Sequence, residues 1–324
     1  MQRTIAEINL LNIRKNALKI KSLSVGAKFF AVVKADAYGH GAEEVSRCVE
    51  DIADGFCVAI IEEGIALRVA GIRKPVLVFT PPLDSYDVLR AKAYSLTLTV
   101  NSADTARLSS GVPCHIKVNT GMNRAGCNPS ELCGILNILD RRNISGVYSH
   151  LYAACDKSAS ERQFKIFSEC AAKVKEYAPE ATAHVSASGG LLLGGKYICD
   201  AVRCGILLYG YVPEGFCNIG FKPAMKVFAR KVQDTAFIGG GIGYNAADKN
   251  YGVLSLYRCG YADGFSRTVP LGEKTLCMDG FVSVSGGKYK CVLDNAEEYA
   301  KRCSTIPYEA LVNATRRAER VYIR

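Results

Sequence analysis

Eight times between residues 28 and 204, a short run of β-prone, mostly apolar residues gives way to a segment spaced like a helix, and no other feature constrains this chain as strongly. The runs are 28–34 (KFFAVVK), 56–61 (FCVAII), 75–79 (PVLVF), 95–100 (SLTLTV), 114–119 (CHIKVN), 144–149 (ISGVYS), 182–187 (TAHVSA) and 201–204 (AVRC). Between them lie helical spacings such as 43–51, 62–70, 102–108, 129–140 and 159–177. Strands apolar on nearly every residue are buried on both faces, which happens when helices cover a parallel sheet. Eight such units predict a closed (β/α)8 TIM barrel, an α/β fold, over residues 9–212. Beyond Pro213 and Gly215 the rhythm changes to strand-like pieces joined by glycines, with one short helix at 295–303. Residues 213–324 therefore read as a smaller, mainly β C-terminal domain, which residues 1–8 are free to join.

Composition narrows the function. At 324 residues and 49% hydrophobic content the chain can bury two cores. Its longest apolar stretch, 198–211, is interrupted by Arg203 and falls short of the ~18–20 residues a membrane helix needs. The N-terminal residues lack the pattern of a secretory signal, so a cytoplasmic location is expected. Fourteen cysteines are scattered singly with no Cys-x-x-Cys pair, which predicts reduced thiols and no metal site. The formal charge of +10 is spread along the chain rather than gathered into a basic stripe, so no nucleic-acid partner is expected.

In a (β/α)8 barrel chemistry sits at the carboxyl ends of the strands. Lys34 ends the first, Arg124 follows the fifth, His150 ends the sixth, Ser188 follows the seventh, and Arg203 with Gly205 ends the eighth. A lysine at a barrel mouth, desolvated and near other cations, has a free amine that can form a Schiff base with an aldehyde. Pyridoxal 5'-phosphate is the leading candidate. Ser188 and the Gly205 and Ile206 amides would then cradle its phosphate, with the Tyr38 hydroxyl assisting. Arg203 would face the pyridine nitrogen. A guanidinium only donates, so that nitrogen would stay unprotonated and the electron sink weakened, a setting that favours simple proton exchange at an α-carbon.

Several segments, in order, resemble the bacterial alanine racemases: RTIAEINLLNIRKN, AVVKADAYGHG, HIKVNTGMNRAGC, VYSHLYAACD, AVRCGILLYG, GIGYNAA, CGYADGFSR and TLCMDGF. The resemblance implies a homodimer with shared active sites and a small amino-acid substrate, with L- and D-alanine interconverted by two bases. Lys34 resembles the cofactor-bearing lysine that also serves the D-enantiomer, and Tyr244 the tyrosine lent by the partner subunit to the opposite face. His150 resembles the histidine beside the cofactor, and His184 the partner of Arg203. Arg124 matches the arginine near the substrate carboxylate, and Lys117 a lysine that in many relatives is carbamylated. Met278 and Asp279 match the carboxylate-binding turn, and Tyr261 a tyrosine of the access channel. Such enzymes supply D-alanine for peptidoglycan.

The sequence departs from that pattern in places. Ala187 stands where HxANS has asparagine, Asp36 follows the lysine where asparagine is commoner, and Arg316 occupies the place of a phosphate-binding tyrosine. The stretches before Tyr244, between Arg267 and Leu276, and after Val284 are short, which trims the β domain. The alternatives this leaves are a serine or broad-specificity racemase, or a degenerate homologue that binds pyridoxal phosphate with weak activity. An acidic residue at the pyridine nitrogen would mark a decarboxylase, and Arg203 argues against one.

Overall fold

A computed structural model describes residues 4–269, 271, 277–284 and 286–324, which fall into two compact units. One unit comprises residues 13–37 and 42–222, the other 4–12, 38–41 and the described residues from 223 onward. The predicted stretch between Arg267 and Leu276 lies largely outside the described residues.

The larger unit is built on eight parallel strands: β2 (Lys28–Val32), β3 (Gly55–Val58), β4 (Val76–Val78), β5 (Leu98–Val100), β6 (Cys114–Lys117), β7 (Ile144–Tyr148), β8 (Thr182–His184) and β9 (Ala201–Cys204). They form two four-stranded arrays, β4-β3-β2-β9 and β5-β6-β7-β8. A parallel bridge between Leu77 and Thr97 joins the arrays on one side. On the other, Asp200 N donates to Ala183 O (3.0 Å) and Arg203 N to Ser186 O (2.9 Å). The barrel is thus closed and no strand edge is left unpaired, as the apolar runs require. Six of the strands are buried at every residue, and β2 and β7 each have one residue that is not. Three of the helices start where a side chain caps them: Asp84 accepts from Asp87 N, Ser102 and Thr105 form a reciprocal box, and Asp156 accepts from Ala159 N.

The smaller unit holds β1 (Thr4–Asn9), β10 (Met225–Ala236), β11 (Gly241–Ile242), β12 (Asn245–Ala246), β13 (Val253–Tyr257), β14 (Phe281–Val284), β15 (Tyr289–Leu293) and β16 (Glu319–Ile323). Its main sheet runs β14-β13-β10-β1-β16, with β15 also on β10. Strand β1 lies between β10, antiparallel, and β16, parallel, so the start of the chain is a central strand of this unit. Among the described residues two α-helices follow the strands rather than the one expected: Ala296–Arg302, capped by Asn295, and Pro307–Ala314. The second has a proline at its first turn and buries Ala310, Leu311 and Ala314, an apolar spacing too short to stand out among strands.

The first strand stops at Val32, short of its apolar run. From Ala35 to Tyr38 the backbone is left-handed, with φ of 51°, 51°, 54° and 52°, and this turn carries Lys34 off the strand end.

Candidate active site

The barrel interior beneath its carboxyl rim is polar and aromatic. Arg203, on β9, is buried and gives its hydrogen bonds from its two terminal nitrogens: Nη1 to His184 Nδ1 (2.6 Å) and His184 O (2.9 Å), Nη2 to Ser149 O (2.6 Å) and Val185 O (3.3 Å). Its guanidinium lies 5.1 Å from the centre of the Tyr148 ring, and that ring stacks on His184 at 5.1 Å. His184 Nε2 is 2.8 Å from His115 Nδ1. The proton positions follow from chemistry: the guanidinium can only donate, so His184 Nδ1 accepts, its Nε2–H donates to His115 Nδ1, and the His115 proton sits on Nε2. Burial, then the Arg203 charge, hold both imidazoles neutral, His115 at about 3 and His184 well below its ordinary value.

His115 went unnoticed in the sequence, although a signal was there. It precedes Lys117 by two residues on one strand, so both point to the same face. Room for its ring is made by Gly146 on β7, where a Cβ would come within 2.7 Å of His115 Nδ1 and Cε1. Replacing His115 by phenylalanine keeps the ring but leaves His184 Nε2–H unpaired in a buried place. The expected cost is about 1–3 kcal/mol, read by denaturant unfolding at neutral pH.

Around this relay stand the other rim residues. Lys34 is half-buried, and its amine is held below the ordinary lysine value first by burial and then by Arg124, with Glu63 and the Cys57 thiol opposing. Lys117 is buried, and burial, then Arg124, Arg203 and Lys34, bring it down to about 8. His150 is lowered to about 3 by burial and the same four cations. Arg124, on the loop after β6, is exposed yet acts on Lys34, Lys117 and His150. The four cations thus share one rim. Ser188 opens the short helix after β8, and its Oγ accepts from Leu207 N at 3.5 Å, which brings it beside the Gly205–Ile206 turn.

The remaining candidates belong to the smaller unit. Tyr38 is buried with its ring 5.6 Å from Tyr308, and Arg316 is exposed just past the helix Pro307–Ala314. Within the same unit Arg320 Nε donates to Gly39 O at 2.7 Å. The loop carrying Tyr261 lies on the turn carrying Met278 and Asp279: Tyr261 N donates to Cys277 O (3.1 Å) and Ala262 N to Met278 O (3.0 Å). Gly260 permits this approach, since a Cβ there would come within 2.3 Å of both carbonyl oxygens. Arg317 pairs with Asp279 at 2.8 Å. Tyr244 is the second residue of a two-residue hairpin loop between β11 and β12; Gly243, at φ 58°, takes the left-handed first position, and the tyrosine is 83% exposed.

Among the described residues no His/Cys/Asp/Glu cluster could hold a metal ion, and no helix is long and apolar enough to cross a membrane.

A family profile described as the N-terminal domain of alanine racemase matches residues 8–213. An alanine racemase of Carboxydothermus hydrogenoformans is 34% identical, with the match covering 100% of both chains. The solved alanine racemase of Clostridium difficile superposes with a TM-score of 0.90 at 30% identity, covering 100% of this chain and 96% of that one. The alanine racemase of Bacillus anthracis, solved with bound L-Ala-P, gives 0.87 at 27% identity, covering 100% and 96%.

Proposed function

From the premise that this chain belongs to the alanine racemase family, we propose that it interconverts L- and D-alanine with pyridoxal 5'-phosphate, using Lys34 and Tyr244 of the partner subunit as opposed bases. The observation that carries the reading is the amine of Lys34, lowered by burial and Arg124 at the carboxyl rim of a closed barrel.

The residues fit the cofactor. A rim with four cations suits an anionic ligand, and the hydrogen bonds of Arg203 leave its Nε–H to meet a ring nitrogen. Ser188 with the Gly205 and Ile206 amides would hold the phosphate, with Tyr38 and Arg316 as proposed further contacts. When bound, the cofactor acidifies the substrate α-proton by drawing electrons from that carbon. Arg203 keeps its proton, and the neutral relay behind it has none to spare, so a ring nitrogen held there would receive a hydrogen bond and no more. Arg124 would orient the substrate carboxylate, helped by Met278 and Asp279 of the partner subunit, with Tyr261 of the partner subunit bordering the channel. His150, held neutral, adds no charge beside the cofactor. Lys34 would carry the proton on one face of the α-carbon and Tyr244 of the partner subunit on the other, because inversion needs a donor opposite the acceptor. Tyr244 stands at a hairpin tip and is 83% exposed in a single chain, which suits a residue lent to another subunit and supports a homodimer.

The test is incubation of the cofactor-loaded protein with L-alanine in heavy water. D-alanine and deuterium at the α-carbon are expected; absence of both would overturn the reading.

Lys117 is proposed to carry a carbamate. With its amine at about 8, roughly a quarter would be neutral and nucleophilic at pH 7.5, against well under a hundredth for an ordinary lysine. The resulting anion would lie among Arg124, Arg203 and Lys34, relieving their mutual repulsion. Protein equilibrated with 13C-bicarbonate should show a carbamate resonance that disappears in Lys117→Ala. A spectrum without that resonance would leave Lys117 an ordinary buried amine.

A further inference from the structure

The left-handed turn after Lys34 is the most strained backbone near the site. Ala35, Asp36, Ala37 and Tyr38 are all left-handed, and none is glycine. That conformation is unfavourable for an L-residue, so such a run persists only where its surroundings hold it. Two carboxylates do so. Asp36 Oδ1 accepts from Ala42 N at 2.7 Å, closing the turn from within. Glu63, from the helix Ile61–Val69, reaches across: its Oε1 accepts from Ala35 N at 2.6 Å and its Oε2 from Ala59 N at 2.7 Å. One carboxylate therefore pins the residue next to Lys34 to the loop after β3. Charged acceptors make the stronger class of hydrogen bond, and both oxygens are used.

We propose that Glu63 is a positioning residue for Lys34: by bridging Ala35 N and Ala59 N it locks the left-handed turn that aims the amine. The same carboxylate also lies close enough to act on that amine as a charge. The two effects are separable. Locking the turn is a matter of geometry; steadying the ammonium is electrostatic, and Glu63 is the acid that opposes burial and Arg124 at Lys34. A glutamine has the same shape but offers one acceptor, and it presents an amide group to the second N–H. The proposal deepens the reading of Lys34 as the reactive amine, but its test uses the cofactor-free protein and stands whether or not racemisation is found.

The experiment compares wild type, Glu63→Gln, and Glu63→Gln combined with Ala35→Gly, all free of cofactor. Amide hydrogen exchange is followed over residues 34–38. The pH dependence of Lys34 labelling by an amine-specific reagent is followed by mass spectrometry. Glu63→Gln is expected to speed exchange in the turn by about ten- to a hundredfold. It should also move the labelling midpoint down, because removing a nearby anion favours the neutral amine. Ala35→Gly, free of the left-handed penalty, should restore much of the protection and leave the midpoint low. Unchanged exchange and an unchanged midpoint would overturn the proposal. So would a drop in melting temperature with neither change, which would make Glu63 a general support of the fold. If the glutamine variant does not fold, Glu63→Asp serves: it keeps the charge but is too short to span both amides, so it should loosen the turn while the midpoint stays near that of wild type.

Discussion

Lys34→Ala is expected to lower racemisation of alanine by at least about 10⁴-fold and to remove the visible absorbance of tightly held cofactor, leaving the barrel folded. Two functions would be lost together, the attachment point and the base for one face. The fold should survive because Lys34 lies beyond the end of β2 and is half-buried, while the strands that close the barrel pair through backbone atoms it does not supply. Removing a partly desolvated cation from a rim shared with Arg124 also relieves repulsion. The variant should therefore unfold at a temperature no lower than cofactor-free wild type. Adding a small primary amine is the sharper measurement. If it restores exchange of the α-proton, the missing group is an amine base; if the variant instead races alanine as fast as wild type, Lys34 is not the reactive amine.

The barrel was legible because each strand is apolar along nearly its whole length and each is followed by a helical spacing. All eight runs carry strands, but seven of them overshoot. Residues 28–34 have the pattern of one strand, yet the strand ends at Val32 because a left-handed turn follows, and nothing in KADAY announces a conformation normally left to glycine. The helix Ser85–Ala93 was not among those anticipated, since much of it faces solvent and only Ala91 is buried, so the apolar periodicity is weak. In the smaller unit, glycines and short strands advertise β structure, and the helix Pro307–Ala314 is hidden among them. The place of β1 at the centre of that sheet rests on pairing with residues more than two hundred positions away, which local patterning does not encode.

In the site, residues that carry charge at strand ends were easy to find and residues that act through them were not. Lys34, Lys117 and Arg203 stand out as polar interruptions of apolar runs. Glu63 did not, because an acidic pair opening a helix reads as ordinary support of the helix dipole, and only the tertiary fold brings its carboxylate to Ala35 N. His115 was missed for a related reason: a histidine within a strand takes its meaning from what lies behind it, here His184 and Arg203.

Tyr244→Phe should lower racemisation in both directions by roughly 10²–10⁴-fold, although Tyr244 is proposed to serve only one face of the substrate. L- and D-alanine have equal free energies in water, so the ratio of kcat/KM for the two directions is fixed, and crippling one step slows both directions alike. The asymmetry must be sought in exchange without inversion. In heavy water Lys34 should still remove the α-proton of D-alanine and return deuterium to the same face, while L-alanine, whose proton faces the missing phenol, should keep its hydrogen. The phenylalanine retains the ring, and the phenol sits at an exposed hairpin tip held by Gly243 and the β11–β12 pair, so folding should be unaffected. A mixture of inactive Lys34→Ala and Tyr244→Phe subunits supplies the complementary measurement. If each site takes its lysine from one chain and its tyrosine from the other, a mixed dimer has one site lacking both bases and one site with both intact, so activity should reappear as subunits exchange. Equal loss of deuterium exchange from both enantiomers in Tyr244→Phe, with no recovery on mixing, would mean that the phenol does not act as the second base.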